Sequence, residues 1–166
     1  YSRSYETVMA LLEQYPSMQL LFDIHRDGRV PGMAKSTVKV NGRDSAQIMI
    51  VIGQKNPDWE KNEQFAQELI ALAENKYPGL IRTKVYHAAD ARYNQPLTQG
   101  ALLLEIGSQL NTLEEAVVAA EAFADVLTDW VMERIERQAA KQDEVSNAHS
   151  GPLAGNSSGA REHPAD

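Results

Sequence analysis

The chain has 166 residues, 43% of them hydrophobic, which suits a single packed domain. Its net charge of −7 gives it no means to displace counterions from a phosphate backbone, so nucleic-acid binding is excluded as a function class. With no cysteine, disulfides, thiolate metal sites and cysteine nucleophiles are excluded too. No apolar run approaches the roughly 20 residues of a membrane span.

Tyr1 opens the chain inside a helical pattern, as expected of a piece of a longer protein. Tyr5, Val8, Leu11, Leu12 and Tyr15 fall at helical spacing until Pro16 stops them. The nearly continuous apolar run Leu20–Ile24 predicts a strand buried on both faces, and Asp27-Gly28 a turn. Thr37 to Val40 alternates, Asn41-Gly42 is a hairpin turn, and Ala46 to Ile52 reads as a second strand ending at Gly53. Asn56-Pro57 has the form of an N-cap followed by proline at the first helical position. The helix that follows carries Trp59, Phe65, Ala66, Leu69, Leu72 and Ala73 and breaks at Pro78-Gly79.

Further along, Ile81 to Tyr86 predicts a short strand, and Ala101 to Ile106 a buried one closed by Gly107. Thr112-Leu113-Glu114-Glu115 is a capping box. The helix it starts places Leu113, Val117, Ala120, Phe123, Leu127 and Val131 on one face and is expected to end near Ala140. Residues 142–166 are rich in Ser, Gly, Asn, Ala and Pro, which predicts a disordered tail after a domain of residues 1–141. Strands alternating with helices of these lengths give an α/β fold with a mixed, mostly parallel sheet flanked by helices.

Two residues stand out chemically. His25 ends the Leu20–Ile24 strand, and the carboxyl ends of strands are where α/β sheets build their sites. It is a ligand or a base there, or a histidine bonded to a neighbouring loop; Asp23 and Asp27 beside it supply the carboxylates that usually orient a metal-bound imidazole. Glu105 interrupts the apolar run Leu102–Ile106, and leucines on both parities argue that both faces of that strand are covered. A buried carboxylate is costly unless paired, metal-bound or protonated.

Asn62 falls on the inward face of its helix, either as a loop anchor or as part of a site floor. The polar stretch Arg92-Tyr93-Asn94-Gln95-Pro96 is a connector or a cleft-lining loop. His87 has no second ligand at a recognisable spacing and reads as a surface residue, and His149 and His163 lie in the expected tail. There is no phosphate loop, dinucleotide fingerprint or nucleophile elbow, so a serine hydrolase lacks its nucleophile.

Asp23-Ile24-His25-Arg26-Asp27, Asn56-Pro57 with Trp59 and Asn62, Arg92-Tyr93-Asn94-Gln95, and Leu104-Glu105-Ile106-Gly107 leading into Asn111–Ala116 together resemble the stage II sporulation protein P family. The match runs in order from about Ser4 to Val131. The resemblance implies a zinc-dependent N-acetylmuramoyl-L-alanine amidase that cuts between the glycan's lactyl group and the stem peptide, with endopeptidase activity on cross-links besides. It implies a zinc ion held by two histidines and a carboxylate, His25 being the later histidine, and Glu105 as the catalytic glutamate. Arg26, Asn62, Arg92, Asn94 and Gln95 become substrate-binding candidates.

Peptidoglycan and a glycan-cleaving sporulation enzyme are the implied partners. The implied location is extracytoplasmic, in the intermembrane space of the sporulating cell, anchored through an upstream segment. The family's first strand, with the other two ligands, is expected before Ser4, so this piece by itself is expected to bind zinc weakly and to be inactive. A non-catalytic relative that binds peptidoglycan or a partner on the same fold is the alternative.

Overall fold

The computed structural model describes residues 2–28, 32 and 34–149. Helix α1 spans Ser2–Gln14 and strand β1 Leu20–Asp27. A hairpin follows, β2 Thr37–Val40 and β3 Arg43–Ala46, and then β4 Ile48–Gly53. Helix α2 covers Trp59–Lys76, β5 Tyr86–Ala88, a 3-10 turn Gln95–Leu97, β6 Gly100–Ser108 and α3 Leu113–His149.

The main sheet runs β1-β6-β4-β5, with β1/β6 and β4/β5 parallel and β4/β6 antiparallel. It is an α/β architecture with a mixed, mostly parallel sheet, as the alternating pattern predicts. Central β6 owes its place to an unbroken apolar sequence: Ala101, Leu102, Leu103 and Leu104 are all buried, so both its faces are covered.

One sheet face packs on α2 and α3. Leu102, Leu104 and Ile106 of β6 and Ile48, Ile50 and Ile52 of β4 meet Phe65, Leu69 and Ala73 of α2 and Val118, Ala122 and Val126 of α3. Phe22 of β1 joins them edge-on to Phe123, ring centroids 5.4 Å apart. The other face carries Asp23 and His25 of β1, Leu103 and Glu105 of β6, and Met49 and Val51 of β4, because side chains alternate along a strand.

Several expectations are corrected. The Leu20–Ile24 strand is not buried on both faces: it is the edge strand β1, and Ile24 is 66% exposed. The expected Ala46–Ile52 strand is two elements, since the chain turns at Gln47 from the hairpin into the main sheet. The hairpin itself pairs Val40 with Arg43 across Asn41-Gly42, both at positive φ (48° and 79°), as a two-residue loop of this sequence requires.

Helix α2 starts at Trp59, because the Asn56 side-chain carbonyl accepts from the backbone N–H of Asp58 and makes a separate turn ahead of the helix. The expected Ile81–Tyr86 strand is a single parallel bridge at Ile81 plus the later β5. The capping box is formed: Thr112 N–H donates to Glu115 Oε2 and Glu115 N–H to Thr112 Oγ1. The buried face of α3 is Val118, Ala119, Ala122, Phe123 and Val126, whereas Leu113 and Val117 are exposed. Alanines let the helix lie close to the sheet there, a signal that large apolar residues alone do not give.

By packing, Tyr1–Val131 forms one unit and Met132–Asp166 another. The described part of the second is helix, with an Arg137–Glu133 pair one turn apart. The helix thus runs to His149 rather than ending near Ala140. The remainder of the expected tail, residues 150–166 with His163, lies outside the described residues.

Candidate active site

His25 and Glu105 are register partners on adjacent parallel strands near their carboxyl ends, so both side chains leave the same face side by side. Asp23, one pleat back on β1, meets the His25 ring: Nε2 lies 3.0 Å from Asp23 Oδ1. The other Asp23 oxygen accepts from Asn94 Nδ2 at 3.3 Å, and that amide also reaches Ser4 Oγ at 3.2 Å. A polar chain therefore runs from α1 through the Asn94 loop to the imidazole and fixes its orientation.

Glu105 is held differently. Its Oε2 has under 1 Å² of accessible surface and no hydrogen-bond partner. Burial raises its carboxyl above the ordinary glutamate value, Asp27 adds to this, His25 opposes it, and Asp23 adds again. A raised carboxyl beside an oriented imidazole is the combination expected where protons move rather than where a fold is braced.

Over this face lies the segment from Ala91 to Thr98, held down from below. Gly53, at the end of β4, allows it: a Cβ there would stand 2.6 Å from the Ala91 carbonyl oxygen. Gln95 is buried, donating from Nε2 to Val51 O (2.7 Å) and accepting from Gly53 N–H (2.8 Å). From the α2 side the wholly buried Asn62 accepts from Asn56 Nδ2 (2.7 Å) and donates toward the carbonyls of Thr98, Gln99 and Ala101 at 2.9–3.1 Å. Of the two readings of Asn62, the loop anchor is the one observed.

The expected site residues are therefore not all brought together. His25 and Glu105 adjoin, and Asn94 is joined to them through Asp23. Asn62 and Gln95 are buried scaffolding, and Arg26 lies on the opposite side of its strand from His25. There its guanidinium donates to the carbonyls of Ser108 (2.8 Å) and Asn111 (2.5 Å) and so ties β1 to the β6–α3 loop. The Arg92 guanidinium sits over the Tyr5 ring of α1, 5.5 Å from its centre. His87 faces α2, with Nε2 3.1 Å from Glu63 and its ring edge-on to Trp59.

Tyr93 was no more than a motif letter in the sequence, yet its backbone is unusual. It is held at φ 51°, a left-handed conformation that a tyrosine adopts only when its surroundings impose it. Burial raises its phenol above the ordinary value, with Tyr86 and Glu105 adding. With Asp23 and Leu103 it lines a small cavity. No spacing rule singles out such a residue.

As a metal centre the donor set fits on one side only. An imidazole with a carboxylate at its second nitrogen, beside an orphaned buried carboxyl oxygen, has the chemistry of a zinc site's edge. Among the described residues, however, no group of three or more His, Asp or Glu converges to hold an ion. No helix among them is long and apolar enough to cross a membrane.

The family model for stage II sporulation protein P matches residues 1–128. Stage II sporulation protein P of Bacillus subtilis (strain 168) is 39% identical over 144 residues, a match that covers 81% of this chain and 35% of the relative. The chain thus spans about a third of the length of that relative. No solved structure matches.

Proposed function

Because the chain belongs to the stage II sporulation protein P family, we propose that it carries the Glu105 half of a peptidoglycan hydrolase's active site. The bond cut is the N-acetylmuramoyl-L-alanine amide, with peptide cross-links a second target. The observation that carries this reading is the Glu105 carboxyl oxygen, sealed in an apolar strand without a partner and in register with an oriented histidine.

His25 is the residue of this chain that would hold a zinc ion, with Asp23 setting its ring, and the remaining ligands come from outside the described residues. When bound, such an ion polarises an amide carbonyl and lowers the pKa of water from 15.7 to about 7. Glu105, with its affinity for a proton raised by burial, takes the proton from the attacking water and delivers it to the leaving amine nitrogen. Tyr93 lines a small cavity with Asp23 and Leu103 beside them. The loop pinned by Gln95 and Asn62 fixes the wall behind them.

In the longer protein this chemistry would take place outside the cytoplasm, with anchorage through another segment and a glycan-cleaving enzyme as partner. A binding module on the same fold gains nothing from a buried, unpartnered carboxylate, which favours the hydrolase. The test is turnover of purified peptidoglycan by a zinc-loaded longer form of the protein. Glu105→Ala should abolish release of stem peptide while zinc is retained, and His25→Ala should lose both. Equal zinc loss in the two variants would defeat the separate roles assigned here.

A further inference from the structure

The row His25–Glu105–Met49 does not end at β4. Ile81 bridges to Ile48 in parallel, and Arg82 N–H donates to Ile48 O at 2.9 Å, which sets Arg82 beside Met49 as the next member of the row. The Arg82 guanidinium confirms the neighbourhood by reaching Met49 Sδ at 3.7 Å. Arg82 therefore stands two strand spacings from Glu105, about 10 Å at the backbone. A groove of about 570 Å³ opens there, lined by Met49, Gln47, Arg82, Lys84 and Tyr86, with Glu74 also on its wall.

Most cations described above are already engaged, Arg26 by two carbonyls and Arg92 by the Tyr5 ring. Lys35, Lys39, Arg43, Lys55, Lys61 and Lys76 each hold a carboxylate. By contrast, Arg82 has a thioether as its hydrogen-bond partner, and Lys84 has no ion pair among the described residues. The Glu74 carboxylate accepts from the Gly79 N–H and takes neither cation. Tyr86, in register with Val51 and 57% exposed, adds an open aromatic wall on the same side of the sheet as Glu105.

We propose that Arg82, with Lys84, forms an anion subsite that binds a carboxylate of the substrate peptide beyond the bond presented to Glu105. An extended peptide advances about 3.3–3.6 Å per residue, so the carboxylate recognised lies about three residues along. Guanidinium suits this task because its planar fork matches a carboxylate bidentately. The inference rests on the hydrolase reading for its direction along the peptide, but its test does not require turnover.

Soluble stem peptide with its carboxylates free, and the same peptide amidated, are titrated into the full chain by calorimetry, with amide chemical shifts followed in parallel. The free acid should bind about tenfold more tightly, as a charge-assisted pair allows. Arg82→Gln should erase that preference, Arg82→Lys should restore part of it, and Lys61→Gln, which removes a cation outside the groove, should leave it intact. Equal affinity for acid and amide, no binding of either, or an unchanged preference in Arg82→Gln would each overturn the subsite. Should Arg82→Gln fail to fold, the acid–amide comparison on the unaltered chain decides alone. A preference without turnover in the zinc-loaded longer protein would uphold the subsite and remove the catalytic role of Glu105; turnover without a preference would do the reverse.

Discussion

Replacing Glu105 by glutamine should make this protein more stable. The substitution keeps the shape of the side chain and removes a charge whose Oε2 is sealed from water without a hydrogen-bond partner. An unsatisfied buried polar group costs about 1–3 kcal/mol and more when charged, and because the glutamine amide is still polar only that excess is recovered. His25 opposes part of that cost here, and the residue as a whole is half-buried, so the lower end applies. A gain of about 1 kcal/mol raises the melting temperature of a chain this size by about 2–4 °C. Circular dichroism melts of the two proteins at pH 7 in chelator measure it, with chelator keeping metal out of the comparison. A glutamine variant that melts below the parent would mean the carboxylate is already satisfied, and the case for a residue kept at the expense of stability would collapse.

Glu115 gives the opposite sign. Lys35, then Asn111 and the Thr112 N–H, hold its carboxyl down at about 2. A depressed folded-state pKa contributes stability above the ordinary glutamate value, and that stability is lost as pH falls toward about 2. Glu115→Gln should therefore cost about 2 kcal/mol at pH 7, from a lost cap and charge-assisted bonds, and the gap from the parent should close in melts between pH 4.5 and 2. A gap that does not change over that range would count against the assignment. Asn62→Ala removes the amide that gathers the Thr98, Gln99 and Ala101 carbonyls and should cost about 3 kcal/mol in urea unfolding. Asn62→Asp, which has no N–H₂ to donate, should do at least as much harm; a mild effect would show that water replaces the amide.

The legible parts of the molecule were those written in local chemistry. Asn41-Gly42 and the Thr112–Glu115 box specify their backbone directly, and an apolar run with leucines on both parities placed β6 at the centre. Glu105 was visible for the same reason, as a charge with nowhere to go. Topology hid the rest: Leu20–Ile24 is as apolar as a central strand, and nothing within it says that it pairs on one side only. Asn62 was readable as a loop anchor, but long-range hydrogen bonding hid the meaning of Gln95 and Arg26. Their amide and guanidinium serve carbonyls that are distant in sequence, so a polar residue near a site looked like a substrate contact when it was holding a wall. Arg82 escaped notice because its place beside Met49 depends on one isolated bridge, which no local pattern records.

The position of β1 affects how the isolated chain behaves in solution. Its outer row of N–H and C=O groups pairs with no strand among the described residues, and Ile24 stands exposed beside that row. Two such edges can zip together antiparallel about a twofold axis, extending each sheet into the other and covering both isoleucines. A concentrated sample should then form dimers that place one His25 close to the other. Metal affinity measured at millimolar protein would belong to that pair, so titrations that are to describe a single copy need to be run dilute.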